Sequence, residues 1–245
     1  MPGTSPGMTD NNGTMLILAI DTALDACAAG VLDTTKGKMI AQESQPMKRG
    51  HAEALMPLIA RVMKEAGIGF DALDRIAATT GPGCFTGLRV GLSAARGIAL
   101  AAGKPAVGVT TLAAYAASVV SEGGEHPIIS AIDARHDHVY LQMVSGNGGA
   151  LVTPRIASLT EAIETARFGA PYLVGNAAKI LGDRWPADAP APAKVDPQAA
   201  PDIVWVAWLG AAVDPAVALA RPLYLRAPDA KPPKDPLAQA PQPAS

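Results

Sequence analysis

The order of apolar segments constrains the fold of this chain more than any other feature of the sequence. Residues 15–20, 26–32 and 38–44 have the length and apolar content of strands, and short turn-forming segments separate them. A helical period follows at His51–Ala66, after which strands and helices alternate. The order then repeats more loosely in the second half of the chain. Three strands followed by alternating helices and strands, twice over, predict an α/β protein of two related lobes.

The remaining elements follow from the same patterns. Strands are expected at residues 75–80, 105–110, 127–133, 138–144 and 171–174, and helices at 86–102, 111–121, 158–166 and 201–213. Thr86 and Thr111 are suitable N-caps, and Ser158 and Glu161 have the spacing of a capping box. Residues 185–201 are rich in Pro and Ala and are expected to form a loop.

Composition divides the chain into four segments. Residues 1–14 are polar and lack periodicity, and residues 227–245 are rich in proline, so both are expected to be disordered tails. Residues 15–110 are expected to form an N-terminal lobe that contains the three-stranded meander. Residues 111–226 are expected to form a smaller C-terminal lobe, although the final helix could cross back to the first.

Charge and cysteine content exclude several classes of protein. Lys and Arg number 20 and Asp and Glu 22, a formal net charge of −2, whereas unaided binding of nucleic acid needs a basic surface. Cys27 and Cys84 are too few for a disulfide framework or a cysteine-rich zinc site. No apolar stretch suits a signal peptide or a membrane span, so a cytoplasmic protein without membrane contact is expected.

Asp21 and Thr22 end the first apolar run and form the first candidate site. A carboxylate and a hydroxyl in a tight turn after a buried strand can hold phosphate oxygens and the water shell of Mg²⁺. The same residues also suit a simple turn between two strands, in which the Asp side chain bonds its own backbone.

A glycine-rich stretch between a strand and a helix forms the second candidate site. Its unpaired backbone amides and the helix N-terminus could bind an anion, although the spacing is neither that of a P-loop nor that of a dinucleotide-binding fingerprint. Alternatively, the glycines allow the helix to pack tightly on its sheet. The candidate anion-binding residues are Gly81, Gly83, Phe85, Thr86, Gly87 and Arg89.

The helices at 51–66 and 86–102 are more apolar than an ordinary surface helix requires. The apolar residues of the first cover an arc of about 160°, where about 100° is usual. One side can face the sheet, and the other could face a partner, although a large single core could absorb both. The candidate partner-facing residues are Ala52, Leu55, Met56, Leu58, Ile59, Val62, Met63, Arg89, Leu92, Ser93 and Arg96. Under this interpretation, a charge at Leu58 or Val62 leaves the monomer folded but abolishes a complex.

No group of residues predicts a metal site or a catalytic nucleophile. His51 is followed four positions later by Leu55, so the helix lacks a pair of histidine ligands. His136 and His138 alternate on an expected strand edge without a third ligand and suit a solvated turn. We therefore expect no catalytic residue and no metal in this chain.

Six segments, in this order, closely resemble the bacterial TsaB family, also called YeaZ. They are MLILAIDTALDAC (15–27), HAEALMP (51–57), GPGCFTGLRVG (81–91), GVTTL (108–112), IDARHDHVY (132–140) and PLYLR (222–226). The resemblance implies a two-lobed fold like that of actin, sugar kinases and heat-shock ATPases, with a degenerate nucleotide cleft.

The resemblance also implies a function. Members of this family bind TsaD, which transfers a threonylcarbamoyl group to N6 of the adenosine next to the anticodon in tRNAs that read codons beginning with A. They are non-catalytic, join TsaE in a ternary complex and form a homodimer when TsaD is absent. The helices at 51–66 and 86–102 would pack against those of TsaD, and tRNA would be bound only through the complex.

The departures from active relatives concern nucleotide binding. The second-lobe phosphate motif is replaced by Asp133-Ala-Arg135, and the glycine pair on the adenosine side is reduced to Val174-Gly175-Asn176. We therefore expect no tightly bound cofactor, although ATP or ADP with Mg²⁺ could be shared at the interface with TsaD. The alternative function is an ATP-dependent, kinase-like enzyme of the same fold acting on a small molecule through Asp21 and Thr22.

Overall fold

The computed structural model describes residues 14–120, 122 and 124–226. The expected tail at 227–245 and nearly all of that at 1–14 lie outside these residues. The strands are β1 (Leu16–Asp21), β2 (Ala26–Asp33), β3 (Lys38–Pro46), β4 (Arg75–Gly81), β5 (Ala106–Thr110), β6 (Ile128–Arg135), β7 (His138–Val144), β8 (Ala150–Ser158), β9 (Tyr172–Val174) and β10 (Lys194–Asp196). The helices are α1 (His51–Ala66), α2 (Phe85–Ala102), α3 (Thr111–Val120), α4 (Leu159–Ile163), α5 (Ala178–Asp183) and α6 (Ile203–Ala212), and short 3₁₀ turns cover Phe70–Ala72 and Glu164–Phe168.

Two five-stranded sheets have the same topology. In the first sheet the order is β3-β2-β1-β4-β5, with the first three strands antiparallel and β1, β4 and β5 parallel. In the second, β8, β7, β6, β9 and β10 occupy the equivalent places with the same directions. The expectation of a meander followed by parallel strands, repeated in two related lobes, is confirmed.

Helices cover both faces of the first sheet. α1 and α2 lie side by side on one face, where their apolar side chains form a common core with alternate residues of the strands, such as Leu18 and Ile20. α6 covers the opposite face, and its residues Ile203 and Val206 pack with Ile17. Because strand side chains alternate between faces, two covered faces make these strands apolar throughout.

The last described segment returns to the first lobe. Arg75 Nη1 donates hydrogen bonds to the carbonyl oxygens of Gly210, Ala211 and Val213 at the C-terminal end of α6, at 2.7, 3.0 and 2.7 Å. Leu219 then bridges to Val107 in β5. The expectation that residues 111–226 form one C-terminal lobe is therefore wrong for residues 203–226, which cross back as the sequence analysis left open.

α3 joins the two lobes. Its residues Leu112 and Tyr115 are fully buried between the second sheet and the turn after β1, where they contact a cluster that includes Leu24 and Leu88. The Tyr115 hydroxyl donates to the carbonyl oxygen of Gln198, 3.0 Å away. The lobes therefore share a continuous apolar core, and a cleft opens beside it.

Several local predictions need correction. The N-cap of α2 is Cys84, one residue before the helix, and not Thr86. At α3 the side chain of Thr110, rather than Thr111, accepts a hydrogen bond from the first turn. The capping box of Ser158 and Glu161 is confirmed. Four elements of the described residues were not predicted: β8, α5, β10 and the 3₁₀ turn at Phe70–Ala72. Of these, β10 lies inside the expected loop at 185–201. Among the described residues, no helix combines the length and apolarity needed to cross a membrane.

Candidate functional site

Asp21 and Thr22 lie at the end of β1, as predicted, but their side chains point into the protein. Both are buried, with Asp21 fully inaccessible. One carboxylate oxygen of Asp21 accepts hydrogen bonds from the Thr79 hydroxyl at 2.6 Å and the Ala23 amide at 3.1 Å. The Thr22 hydroxyl donates to the carbonyl oxygen of Gly87, 2.7 Å away. These groups hold the turn together and are not directed toward a cleft.

The second carboxylate oxygen of Asp21 is buried without a hydrogen-bond partner. Burial raises the pKa of Asp21, and the hydrogen bonds from Thr79 and Ala23 and the nearby His51 only partly oppose this effect. Because Asp21 is fully inaccessible, its carboxylate is not exposed to the water shell of a Mg²⁺ ion in a cleft. The residues present therefore do not fit a magnesium–nucleotide at this turn.

The glycines of the second candidate site serve close packing. A side chain at Gly83 would collide with the backbone of Ala23, and one at Gly87 or Gly91 would collide with Thr22. The turn after β1 thus occupies the space in front of the N-terminus of α2, where an anion was considered. This geometry favours the packing alternative over the anion-binding one.

Six residues assigned to a partner-facing surface belong instead to the core. Each is at most 4% exposed, because α1 and α2 pack against the sheet and against each other. The wide apolar arc of α1 is thus absorbed by the core of its own lobe, which was the alternative interpretation. The residues to which this correction applies are Leu55, Leu58, Ile59, Val62, Met63 and Leu92.

The outer surface of the same helices carries an apolar groove. It has a volume of about 440 Å³ and lies between Met56 of α1, Phe70 and the C-terminal half of α2. Its floor consists of small and aliphatic residues of α2: Ala94, Gly97, Ile98, Ala101 and Ala102. Leu100, on the same half of α2, is 86% exposed. Of the assigned interface residues, Ala52, Met56, Arg89, Ser93 and Arg96 are exposed.

Phe70, Gly97 and Leu100 were not selected from the sequence. Phe70 lies outside the helical periods, and Gly97 has no side chain, so neither contributes to an apolar arc. Leu100 follows Ser93 by seven positions and Arg96 by four, so it lies on the exposed strip of α2 that these residues form.

A cleft of about 530 Å³ lies between the lobes beside their shared core, which contributes Leu24, Ile132 and Tyr140 to its lining. The turn after β1 and the start of α2 form one wall through Asp25, Gly83, Cys84 and Phe85. The opposite wall comes from the β6–β7 turn, Tyr140 and Asn176, and Arg226 completes the lining. Of the residues proposed for a nucleotide, Gly83 and Phe85 line this cleft, whereas Asp21, Thr22, Gly81 and Gly87 are buried beneath it.

The β6–β7 turn has an uncommon backbone conformation. Arg135, His136 and Asp137 have φ angles of 63°, 51° and 55°, in the left-handed region that side-chain-bearing residues rarely adopt. Asp133 stabilises the turn, since its carboxylate accepts from the Arg135 amide at 2.8 Å while its own amide donates to Asn176 Oδ1 at 2.8 Å. The turn places Arg135 and His136 at the cleft.

Three side chains form a stack at the start of α2. The guanidinium carbon of Arg89 lies 3.8 Å from the centroid of the Phe85 ring. The centroid of the Tyr224 ring lies 5.6 Å from that of Phe85, with the rings inclined at 33°. Phe85 and Tyr224 are 49% and 47% exposed.

The side chain of His51 contacts the turn after β1. It is buried, and its Nε2 lies 3.1 Å from the carbonyl oxygen of Leu24. Within residues 14–120, 122 and 124–226, no group of three or more His, Cys, Asp or Glu side chains could hold a metal ion.

Comparison with known proteins assigns the chain to a family. The family model described as TsaD, tRNA N6-adenosine threonylcarbamoyltransferase, matches residues 39–180, more than half of the chain. The tRNA threonylcarbamoyladenosine biosynthesis protein TsaB of Haemophilus influenzae is 32% identical over 130 residues, covering 53% of this chain and 54% of the relative. The chain belongs to the TsaB (YeaZ) family. It spans about half the length of the curated relatives it matches.

Two further similarities agree with this assignment. The tRNA N6-adenosine threonylcarbamoyltransferase of Novosphingobium aromaticivorans is 30% identical over 190 residues, covering 70% of this chain and 52% of the relative. The solved structure of YeaZ from Pseudomonas aeruginosa superimposes with a TM-score of 0.68 at 28% identity, covering 86% of this chain and 100% of that one. Together with the duplicated sheet topology, the latter establishes the two-lobed fold of YeaZ that the resemblance implied.

Proposed function

We propose that this chain is a non-catalytic subunit in the synthesis of threonylcarbamoyladenosine in tRNA, and that it binds and activates TsaD. TsaD would transfer the threonylcarbamoyl group to N6 of the adenosine next to the anticodon in tRNAs that read codons beginning with A. The membership in the TsaB family supports the pathway, and the groove on α1 and α2 supports the role as a partner. We further propose a cytoplasmic location.

The observation that carries the proposal is the apolar groove between Met56, Phe70 and α2. Its floor of small residues allows the backbone of a partner helix to approach closely. Removal of its apolar surface from water would contribute favourable free energy to binding. We propose that a helix of TsaD occupies the groove, and that a second copy of this chain occupies it when TsaD is absent.

The geometry of the cleft supports a non-catalytic role. A kinase-like enzyme would need Asp21 and Thr22 to contact phosphate or its Mg²⁺, but both side chains are buried and engaged within the turn. We therefore propose that the chain alone binds ATP weakly at most. ATP or ADP with Mg²⁺ would bind at the interface with TsaD, where TsaE completes a ternary complex.

The experiment compares two exposed apolar side chains on different lobes. Met56→Glu places a charge in the groove, where Met56 is 49% exposed, and Leu151→Glu places the same charge on β8, where Leu151 is 46% exposed. Both variants are expected to fold, as judged by circular dichroism. In gel filtration with the organism's TsaD, Met56→Glu is expected to lose co-elution while Leu151→Glu retains it. Undiminished co-elution of Met56→Glu would contradict the proposed use of this surface.

A further inference from the structure

The stack formed by Arg89, Phe85 and Tyr224 is unusual for this chain. The sequence contains only three Phe, three Trp and four Tyr residues, and its cores are built mainly from aliphatic side chains. Two of these aromatic rings nevertheless lie next to each other and are about half exposed. An exposed aromatic pair with an arginine on one ring provides a surface on which a nucleobase can stack.

The backbone holds Tyr224 in place. The amide of Leu223 donates a hydrogen bond to the carbonyl oxygen of Thr80 at the end of β4, 2.8 Å away. Two residues beyond Tyr224, Arg226 Nη1 donates to the carbonyl oxygen of Ala134, 3.3 Å away. The chain is thus anchored on both sides of Tyr224, and its ring packs against Phe85, which reduces the entropy that ligand binding would cost.

Positive charge lies beside the stack. Phe85, Arg135, His136 and Arg226 line the same cleft. Among the described residues, the Arg135 guanidinium has no hydrogen-bond or ion-pair partner. Asp25 and Asp133 also line the cleft and balance the charge of its two arginines, so the net positive charge comes from Arg89 on the stack. A few phosphates of a single strand match this distribution better than the dense charge of a long duplex.

We propose that Tyr224, Phe85 and Arg89, together with Arg135 and Arg226 at the cleft, bind an unpaired nucleotide segment of RNA. A base stacks on the exposed ring of Tyr224, and the arginines of the cleft contact the adjoining phosphates. The inference rests on the proposed function only in taking the RNA to be a tRNA. It differs from the expectation that tRNA is bound only through the complex, because it adds a direct contact between this chain and the RNA. The near-neutral net charge of the chain makes that contact weak.

The test measures binding of RNA to the full chain without TsaD. The probe is a fluorescein-labelled anticodon stem-loop, followed by fluorescence anisotropy at low and moderate salt. We expect a Kd of about 10–100 µM at low salt, because one stacked base and a few phosphate contacts provide limited free energy. Tyr224→Ala is expected to weaken binding about tenfold. Arg135→Gln is expected to weaken it and to reduce the slope of log Kd against log salt by about 0.7.

The second lobe offers a matched control. The guanidinium carbon of Arg167 lies 5.1 Å from the ring centroid of Phe168, which is 41% exposed. Phe168→Ala and Arg167→Gln remove the same kinds of side chain at a distant place and are expected to leave binding unchanged. Circular dichroism confirms that each variant is folded.

Four outcomes would overturn the proposal. The first is that the wild-type chain does not bind the probe at about 100 µM, which is the weak end of the expected range. The second is that the control variants lose as much affinity for the probe as Tyr224→Ala and Arg135→Gln do. The third and fourth are that a blunt RNA duplex of the same length competes equally with the probe, and that equimolar AMP displaces it. The duplex result would indicate charge alone, and the AMP result a site for free nucleotides. Since TsaD is absent from this assay, its failure leaves co-elution with TsaD unaffected, and the two proposals are tested separately.

Discussion

The hydroxyl of Thr22 donates a hydrogen bond to the main-chain oxygen of Gly87, 2.7 Å away, and so fastens the turn after β1 to the first turn of α2. The contact is close because Gly87 has no side chain, and a Cβ at this position would collide with the Thr22 carbonyl oxygen. In a protein of this fold the same two segments are candidates for binding phosphate. Here they bind each other, which supports the proposed non-catalytic role.

Gly87→Ala is expected to destabilise the protein by about 1–3 kcal/mol, because the added methyl group must displace the turn. Gly97→Ala is the control on the same helix, since a Cβ there would meet no atom within 4 Å. It is expected to be neutral or to stabilise α2 by about 0.5–1 kcal/mol, because alanine favours the helix more than glycine does. Urea denaturation measures both changes, and equal effects would show that the close approach of Gly87 is unimportant.

Leu58→Glu is expected to unfold the protein rather than only to disrupt a complex. Leu58 is fully buried beneath α1, and an unpaired carboxylate there would cost at least about 4 kcal/mol. This replaces the sequence-based expectation of a folded monomer. Melting followed by circular dichroism distinguishes an unfolded variant from a folded one. A Leu58→Glu variant that melts like the wild type would indicate that Leu58 lies at the surface.

The stability of the protein is expected to decrease as the pH rises above the usual carboxyl range, through ionisation of Asp21. Burial raises the pKa of Asp21 above its usual 3.8, so the folded state binds the proton more tightly than the unfolded state. The resulting stabilisation is complete below the unfolded pKa and is lost as the pH rises through the folded one.

Asp21→Asn removes this ionisation and retains an oxygen that can accept from Thr79 and Ala23. The free energy of unfolding of the variant minus that of the wild type is expected to be larger at pH 8 than at pH 4. Parallel urea titrations at several pH values measure the difference. A constant difference across this range would mean that Asp21 does not titrate in the folded protein.

Addition of ATP and Mg²⁺ to the chain alone is expected to leave its melting temperature within about 1 °C of the starting value, because a ligand at a concentration far below its Kd stabilises a protein very little. ADP serves as a second ligand. A shift that grows steadily with ATP concentration would favour the kinase-like alternative.

The sequence predicts the scaffold well where apolar periodicity is strong. α1 spans His51–Ala66 and β7 spans His138–Val144, as expected. β8 was missed because its residues are mostly exposed or partly exposed and include Pro154, so its pattern resembles a loop. α5 and β10 are too short to show a period.

The candidate site is predicted less completely, because sequence position does not determine side-chain direction. Asp21 and Thr22 do follow a buried strand, yet their hydrogen bonds turn them inward. The apolar arc of α1 is the same whether Leu58 faces a partner or the sheet, and only the packing of α2 beside α1 decides between them. Tyr224 lies far from Phe85 in sequence, so the stack depends on the return of the last segment to the first lobe.

The most direct test of the account is a reconstituted tRNA modification assay with the organism's TsaC, TsaD, TsaE, ATP, threonine, bicarbonate and unmodified tRNA. It is run with and without this protein and is scored by nucleoside mass spectrometry. The account predicts threonylcarbamoyladenosine only when the chain is present together with TsaD, and none from the chain without TsaD. Equal modification when the chain is omitted would contradict its role as an activating subunit.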